Sequence, residues 1–283
     1  MPGLYTFRTW DDYFIPGTSV LRNKFIAPGK PFGEPDAATL KRLEEAMTAQ
    51  RLGELTAAPI QGRFDYAHMK AIHGYIFQDV YEWAGQARVA PTHGPMTKMG
   101  PDVVSYAVGD PSAPWRSYSY YPAGPAMESA AEAQYAKLAG KNLLQGLDHE
   151  TFVRELGEIW GELNVIHVFR EGNTRSQFAF FTQLAAQAGW KIEPTRFLPS
   201  SRAREEFVAA RFYSQATGDN SRLVDVLRKE VVPLHAPPAQ TLAAQRAATR
   251  KYLGEEISRR IAERGSKPTE LGPTRPRRGG PLR

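Results

Sequence analysis

The stretch His167-Val168-Phe169-Arg170-Glu171-Gly172-Asn173-Thr174-Arg175 places a base, a carboxylate, a turn and a guanidinium within nine residues. Before it, Asp148 is followed by Phe152, Leu156, Ile159, Leu163 and Ile166, apolar positions spaced by four, three, four and three. This is the spacing of a helix with one buried face, and an Asp just ahead of it can accept from the unpaired N–H groups of the first turn. The helix so predicted carries His167 at its C-terminal end. Beyond the stretch, Phe178, Phe181, Ala185 and Ala188 mark a second helix from about Arg175, stopped by Gly189. Helix, tight loop and helix are the unit around which the rest is expected to pack.

The residue types in the loop point to phosphate chemistry. The first turn of a helix has N–H groups without partners and carries partial positive charge, so Gly172-Asn173-Thr174 makes an anion-binding turn. Gly172 permits a positive φ and close backbone approach. Arg175 can grip phosphate oxygens in bidentate fashion, and Glu171 offers a hard oxygen ligand for Mg²⁺. His167, with an ordinary pKa near about 6.5, can take the proton from an attacking hydroxyl. Taken singly, each residue has a plain structural use: a histidine caps a helix, Gly-Asn makes a turn, a glutamate sits on the surface. In this order and spacing they suit phosphoryl or nucleotidyl transfer, which needs mainly positioning and charge neutralisation.

The stretch resembles the active-site motif of the Fic (fido) family, His-x-Phe-x-Asp/Glu-Gly-Asn-Gly-Arg-x-x-Arg. A second stretch, Ile72-His73-Gly74-Tyr75-Ile76-Phe77-Gln78-Asp79-Val80-Tyr81-Glu82-Trp83-Ala84-Gly85-Gln86-Ala87-Arg88, resembles the family's helix ending in Trp-Ala-Gly. A third, Tyr13 to Asn23, resembles the lead-in of bacterial Fic toxins and effectors. The resemblance spans residues 13 to 231 and implies a mainly α Fic/fido helical fold with a small β-hairpin flap. It implies transfer of AMP from ATP, with Mg²⁺, to a Ser, Thr or Tyr hydroxyl of a target protein. His167 would be the base and Glu171 the Mg²⁺ ligand. Gly172, Asn173, Thr174 and Arg175 would bind the nucleotide, Asn173 and the loop amides at the α-phosphate and Arg175 at the outer phosphates. Phe169 would anchor the loop in the core. Residues 116 to 124 would end the flap, with Tyr118, Tyr120 and Tyr121 as target contacts and residues 100 to 115 as an insertion; the plain alternative is an aromatic loop packed on the core.

Two residues depart from the motif. Thr174 stands where the family has its second glycine, adding a β-branched side chain beside the outer phosphates. In the related Doc kinases that position is Lys, and a terminal phosphate is transferred instead of AMP. Phe178 stands where the family has its last arginine, so one charge-assisted contact, worth about 1.5 to 3 kcal/mol, is missing. Two further readings follow: transfer of another phosphate-containing group, and a catalytically weak module that binds nucleotide or a partner. The stretch Ser201-Arg202-Ala203-Arg204-Glu205-Glu206 lacks the last residue of the family's inhibitory helix, so control is expected from a separate antitoxin-like protein or from weak intrinsic activity.

With 283 residues, 42% of them hydrophobic and 23% charged, the chain has the balance of a globular protein with a full core. It has no cysteine and six scattered histidines without a His-Glu-x-x-His pattern, which argues against zinc and thiol chemistry. Of the net +6, +5 comes from residue 264 onward, so the charge reads as a basic tail and not as a nucleic-acid surface. The expected organisation is an irregular lead-in at 1–34, a Fic domain at 35–232, a helical extension at 233–263 and a basic disordered tail at 264–283. Apolar runs are too short for a membrane span, and the expected place is the cytoplasm, or a recipient cell for an exported effector.

Further helices are expected from Asp36 to Gly53, from Asp65 to Gly85, over 126–144, over 201–213 and 222–231, with a lone one over 241–264. Residues 89–125, rich in Pro and Gly, read as loop with at most a hairpin. His73, one step off an apolar face, reads as structural.

Overall fold

The computed structural model describes residues 7–234. Among them the chain forms seven α-helices: α1 (Ala37–Ala57), α2 (Tyr66–Phe77), α3 (Pro125–Gly140), α4 (His149–Ile166), α5 (Asn173–Gln187), α6 (Arg202–Thr217) and α7 (Ser221–Glu230). Two small antiparallel ladders complete it, β1 (Thr97–Pro101) with β2 (Trp115–Ser119), and β3 (Trp190–Ile192) with β4 (Val231–Pro233). The mainly helical fold and the hairpin are as the sequence implied. The expected helix at 241–264 and the tail lie outside the described residues.

Helix α4 is the axis. The Asp148 carboxylate accepts from the Thr151 N–H at 3.0 Å, as a cap should. Phe152, Leu156, Ile159, Leu163 and Ile166 are all buried, and α3, α5, α6 and α7 pack around the helix. The apolar face that the spacing predicted is therefore the centre of the core. α1 and α2 pack on the other side of α5, closing the loop between α4 and α5 from below. The residues before α1 run over this core: Tyr13 is buried between Phe7 and Trp83, and its hydroxyl accepts from the Val89 N–H.

Several boundaries differ from the expectation, each for a local reason. α1 continues through Gly53 to Ala57, because Leu55 still has core to bury and the break comes only before Pro59. α2 stops at Phe77 although Val80 and Trp83 are buried as the spacing required; tight turns, with Val80 and Tyr81 N–H donating to the Phe77 carbonyl, carry them inward. α5 begins two residues early, at Asn173, since the left-handed Gly172 already turns the chain into it. The β3–β4 ladder was not expected: three residues a side give too short a pattern to read.

Candidate functional site

The α4–α5 connection is built on two positive-φ residues. His167 ends α4 at φ 52°, ψ 61°, a left-handed conformation that costs a non-glycine residue free energy. Gly172 begins α5 at φ 81°, and a methyl group there would sit 2.2 Å from the Phe77 ring, so only glycine fits. Between them the Asn173 side chain braces the loop: its Oδ1 accepts from the Phe169 N–H at 3.0 Å and its Nδ2 donates to the Phe169 carbonyl at 2.8 Å. Phe169 is buried, its ring 3.8 Å from that of His73.

His73 holds the loop from beneath. Its Nδ1 accepts from the Gly85 N–H at 2.8 Å and its Nε2 donates to the Glu171 carbonyl at 3.0 Å. Burial pushes its pKa down to about 3, so it is a neutral strut. The structural reading of His73 therefore stands, and the Trp-Ala-Gly turn is shown to hold the loop.

His167 stacks on Tyr120, ring centroids 3.7 Å apart. Its Nδ1 lies 3.2 Å from the Asn164 carbonyl, an acceptor only, so Nδ1 carries the proton and Nε2 is left as the basic nitrogen. Burial lowers its pKa well below the ordinary value, and the nearby cations Arg211 and Arg88 add to the shift. The ring is neutral at pH 7 and able to accept a proton.

Arg88 escaped the sequence reading as a working part. It is buried and clamps the end of α4: Nε donates to the His167 carbonyl at 2.7 Å and Nη2 to the Tyr121 carbonyl at 2.5 Å. A cation there meets the negative end of the helix dipole while tying flap and helix together. An arginine three residues after Trp-Ala-Gly could have been flagged, but nothing in the spacing says what it reaches.

α5 opens with no side-chain cap on its first N–H groups and no acidic residue in its first turn, so its N-terminus is open to an anion. The Glu171 carboxylate beside it is half-exposed. Among the described residues no group of three or more potential metal-ligating His, Cys, Asp or Glu side chains is found. A Mg²⁺ ion would thus have Glu171 as its protein oxygen and draw further ligands from phosphate and water, a pattern usual for this ion.

The other expected site residues divide. Arg175 is turned to α1: Nη2 pairs with Glu44, Nη1 donates to Thr48 Oγ1 at 3.0 Å, and Glu171 is 3.8 Å away. Tyr81 also donates to Glu44. Thr174 accepts at 2.9 Å from Arg211 of α6. Of the three tyrosines, Tyr118 is buried on Phe212 and donates to the Pro101 carbonyl, Tyr120 is buried on His167, and Tyr121 alone keeps an exposed ring. Phe178 packs among Trp160, Phe197 and Phe207.

A cleft opens beside His167, bordered by Lys98, Tyr120, Asn164, Thr174, Arg204 and Arg211 among others. Residues 63–185, which hold His73, Arg88 and the whole α4–α5 loop, match the Fic/DOC family model. The chain is 35% identical over 194 residues to the probable protein adenylyltransferase y4lH of Sinorhizobium fredii, covering 66% of this chain and 84% of that one. It belongs to the Fic/DOC family. It is also 37% identical over 183 residues to protein adenylyltransferase VbhT of Bartonella schoenbuchensis, covering 65% of this chain but 32% of that relative's length. The fold is similar to that of BepC, a VirB-translocated effector of Bartonella tribocorum solved with bound AMPPNP, at TM-score 0.62 and 21% identity, over 80% of this chain and 98% of that one. In this Fic/DOC protein no helix of the described residues is long and apolar enough to cross a membrane.

Proposed function

We propose that this Fic/DOC protein transfers AMP from ATP to a Ser, Thr or Tyr hydroxyl of a target protein. The observation that carries the reading is the neutral His167, with Nε2 free to accept a proton, set at the end of α4 directly before the uncapped N-terminus of α5. The hydroxyl oxygen attacks the α-phosphorus while its proton passes to His167 Nε2; the bond from phosphorus to the β-phosphate oxygen breaks and pyrophosphate leaves. The open amides of α5 face the phosphate charge, and Asn173 serves by fixing the loop that presents them. Mg²⁺, held by Glu171 and the phosphates, would neutralise charge on the leaving group. Arg175 reaches an outer phosphate only by sharing or leaving Glu44.

Tyr121 is the target contact best supported among the three tyrosines, because its ring is exposed at the flap end. Both ATP and a protein target are met in a cytoplasm, that of the producing cell or of a recipient, and a separate antitoxin-like protein would restrain the activity. A second reading, a weakly catalytic nucleotide-binding module, draws on the engagement of Arg175 by α1.

The test is incubation of the protein and a lysate with Mg-ATP labelled at the α- or the γ-phosphate, followed by mass spectrometry of the labelled proteins. AMP transfer predicts α-label on the target, absent with His167→Ala. Label from the γ position alone would identify a kinase-like reaction, and Mg-ATP binding without label from either position would favour the binding module.

A further inference from the structure

We infer that Arg211 holds a phosphate group of the nucleotide donor, with Lys98 and Arg204 supplying further positive charge to the same cleft. The inference rests on the nucleotide reading above and assigns a ligand contact to a residue far from the motif. Arg211 is 7% exposed, and its three hydrogen bonds go to neutral oxygens: Nε and Nη2 to Asn164 Oδ1, and Nη1 to Thr174 Oγ1. A guanidinium has five N–H donors, so two remain.

The other confined arginines of the site divide, and Arg88, like Arg211, meets only neutral oxygens. Arg175 has Glu44, Arg88 has the carbonyl end of α4, and Arg170 lies 4.4 Å over the Trp10 ring. Arg211 has no carboxylate partner among the described residues, and the charged side chains nearest it in the cleft, Arg204 and Lys98, carry the same sign. A cation removed from water without a counter-charge is costly, and Arg211, unlike Arg88, borders a cleft where a ligand can bring the missing charge.

Geometry says which ligand. Arg204, Val208, Arg211 and Gln215 step by four, three and four along α6, so one helix face lines the cleft that also holds His167 and Thr174. Among the lining residues there are three cations and no carboxylate. Arg211 is bonded to Thr174, the second residue of α5, so its free donors lie one hydroxyl away from the open amides of that helix. An anion resting on those amides and large enough to extend past the Thr174 hydroxyl meets the guanidinium. A polyphosphate has that reach.

The experiment titrates the full chain, by calorimetry, with Mg-ATP, inorganic tripolyphosphate and adenosine, comparing wild type with Arg211→Met and Arg211→Lys. Loss of a charge-assisted contact predicts roughly ten- to a hundredfold weaker binding of Mg-ATP and tripolyphosphate by Arg211→Met, with adenosine binding within about twofold and Arg211→Lys in between. Mg-ATP and tripolyphosphate binding by folded Arg211→Met within about twofold of wild type overturns the inference while leaving the nucleotide reading in place. Equal weakening toward adenosine and tripolyphosphate makes the residue structural and likewise overturns it. Should Arg211→Met not fold, Thr174→Val and Arg211→Lys decide, since an unchanged affinity for tripolyphosphate in both is then the overturning result. Wild type that binds neither Mg-ATP nor tripolyphosphate removes the nucleotide reading, and this inference with it.

Discussion

Two arginines flank the α4–α5 loop, Arg175 at the start of α5 and Arg211 on α6, and their surroundings differ in charge. On the α1 side Arg175 meets Glu44, which also receives the Tyr81 hydroxyl. On the α6 side Arg211 meets the neutral Asn164 and Thr174, in a cleft it shares with Lys98 and Arg204. The matched side can hold the loop without help. The unmatched side is incomplete in charge until an anion arrives. A motif residue such as Arg175 can thus serve the fold first, while a residue outside the motif is left with charge to spend on a ligand.

The largest effect is expected between the two sides, at the base. His167→Ala should lower transfer to the target by about 10²- to 10⁴-fold with Mg-ATP affinity within about threefold, measured by labelled transfer and calorimetry. An equal loss of affinity would mean that the imidazole shapes the cleft and does no acid–base work.

The matched side should yield next. Glu44→Ala leaves the Arg175 guanidinium with only the half-exposed Glu171 carboxylate at 3.8 Å and Tyr81 without its acceptor, and should cost about 3 kcal/mol in urea unfolding. On the unmatched side, Arg211→Met should cost less than about 1 kcal/mol or be stabilising. Equal losses in the two variants would erase the distinction. Gly172→Ala, which needs a positive φ and displaces the Phe77 ring, should cost about 2 kcal/mol by the same measurement.

The most gradual effect is in pH. His73 and His167 have pKa values lowered by burial, so the unfolded chain binds more protons than the folded one below the ordinary histidine value. Stability should therefore fall as pH drops below about 6.5, by about 1.4 kcal/mol per pH unit for His73 alone, continuing toward its folded pKa near 3. A flat urea midpoint between pH 7 and 5 would contradict the burial of the His73 ring.

Much of the fold was legible. Asp36, Asp65 and Asp148 each cap the helix that follows them, and the apolar spacing after Asp148 picks out the core face of α4. The loop residues were legible by type but not by posture. Nothing in the motif indicates that Asn173 spends its side chain on Phe169, or that Tyr118 and Tyr120 turn inward. Arg211 left one faint trace, a cation inside the apolar and aromatic run Phe207-Val208-Ala209-Ala210-Arg211-Phe212-Tyr213.

What the sequence determined by itself is local: where helices begin, which faces are apolar, and that a left-handed turn joins α4 to α5 at Gly172. Caps, periodicity and glycine's backbone freedom act over a few neighbouring residues, so a single chain displays them. Only the tertiary structure decided which partner each polar group meets: Arg175 with Glu44 across 131 residues, His73 with the Glu171 carbonyl across 98, Arg211 with Thr174 across 37. Hydrogen bonds and charges act through space over a few ångströms, and which distant residues come that close is settled only when the apolar faces have packed.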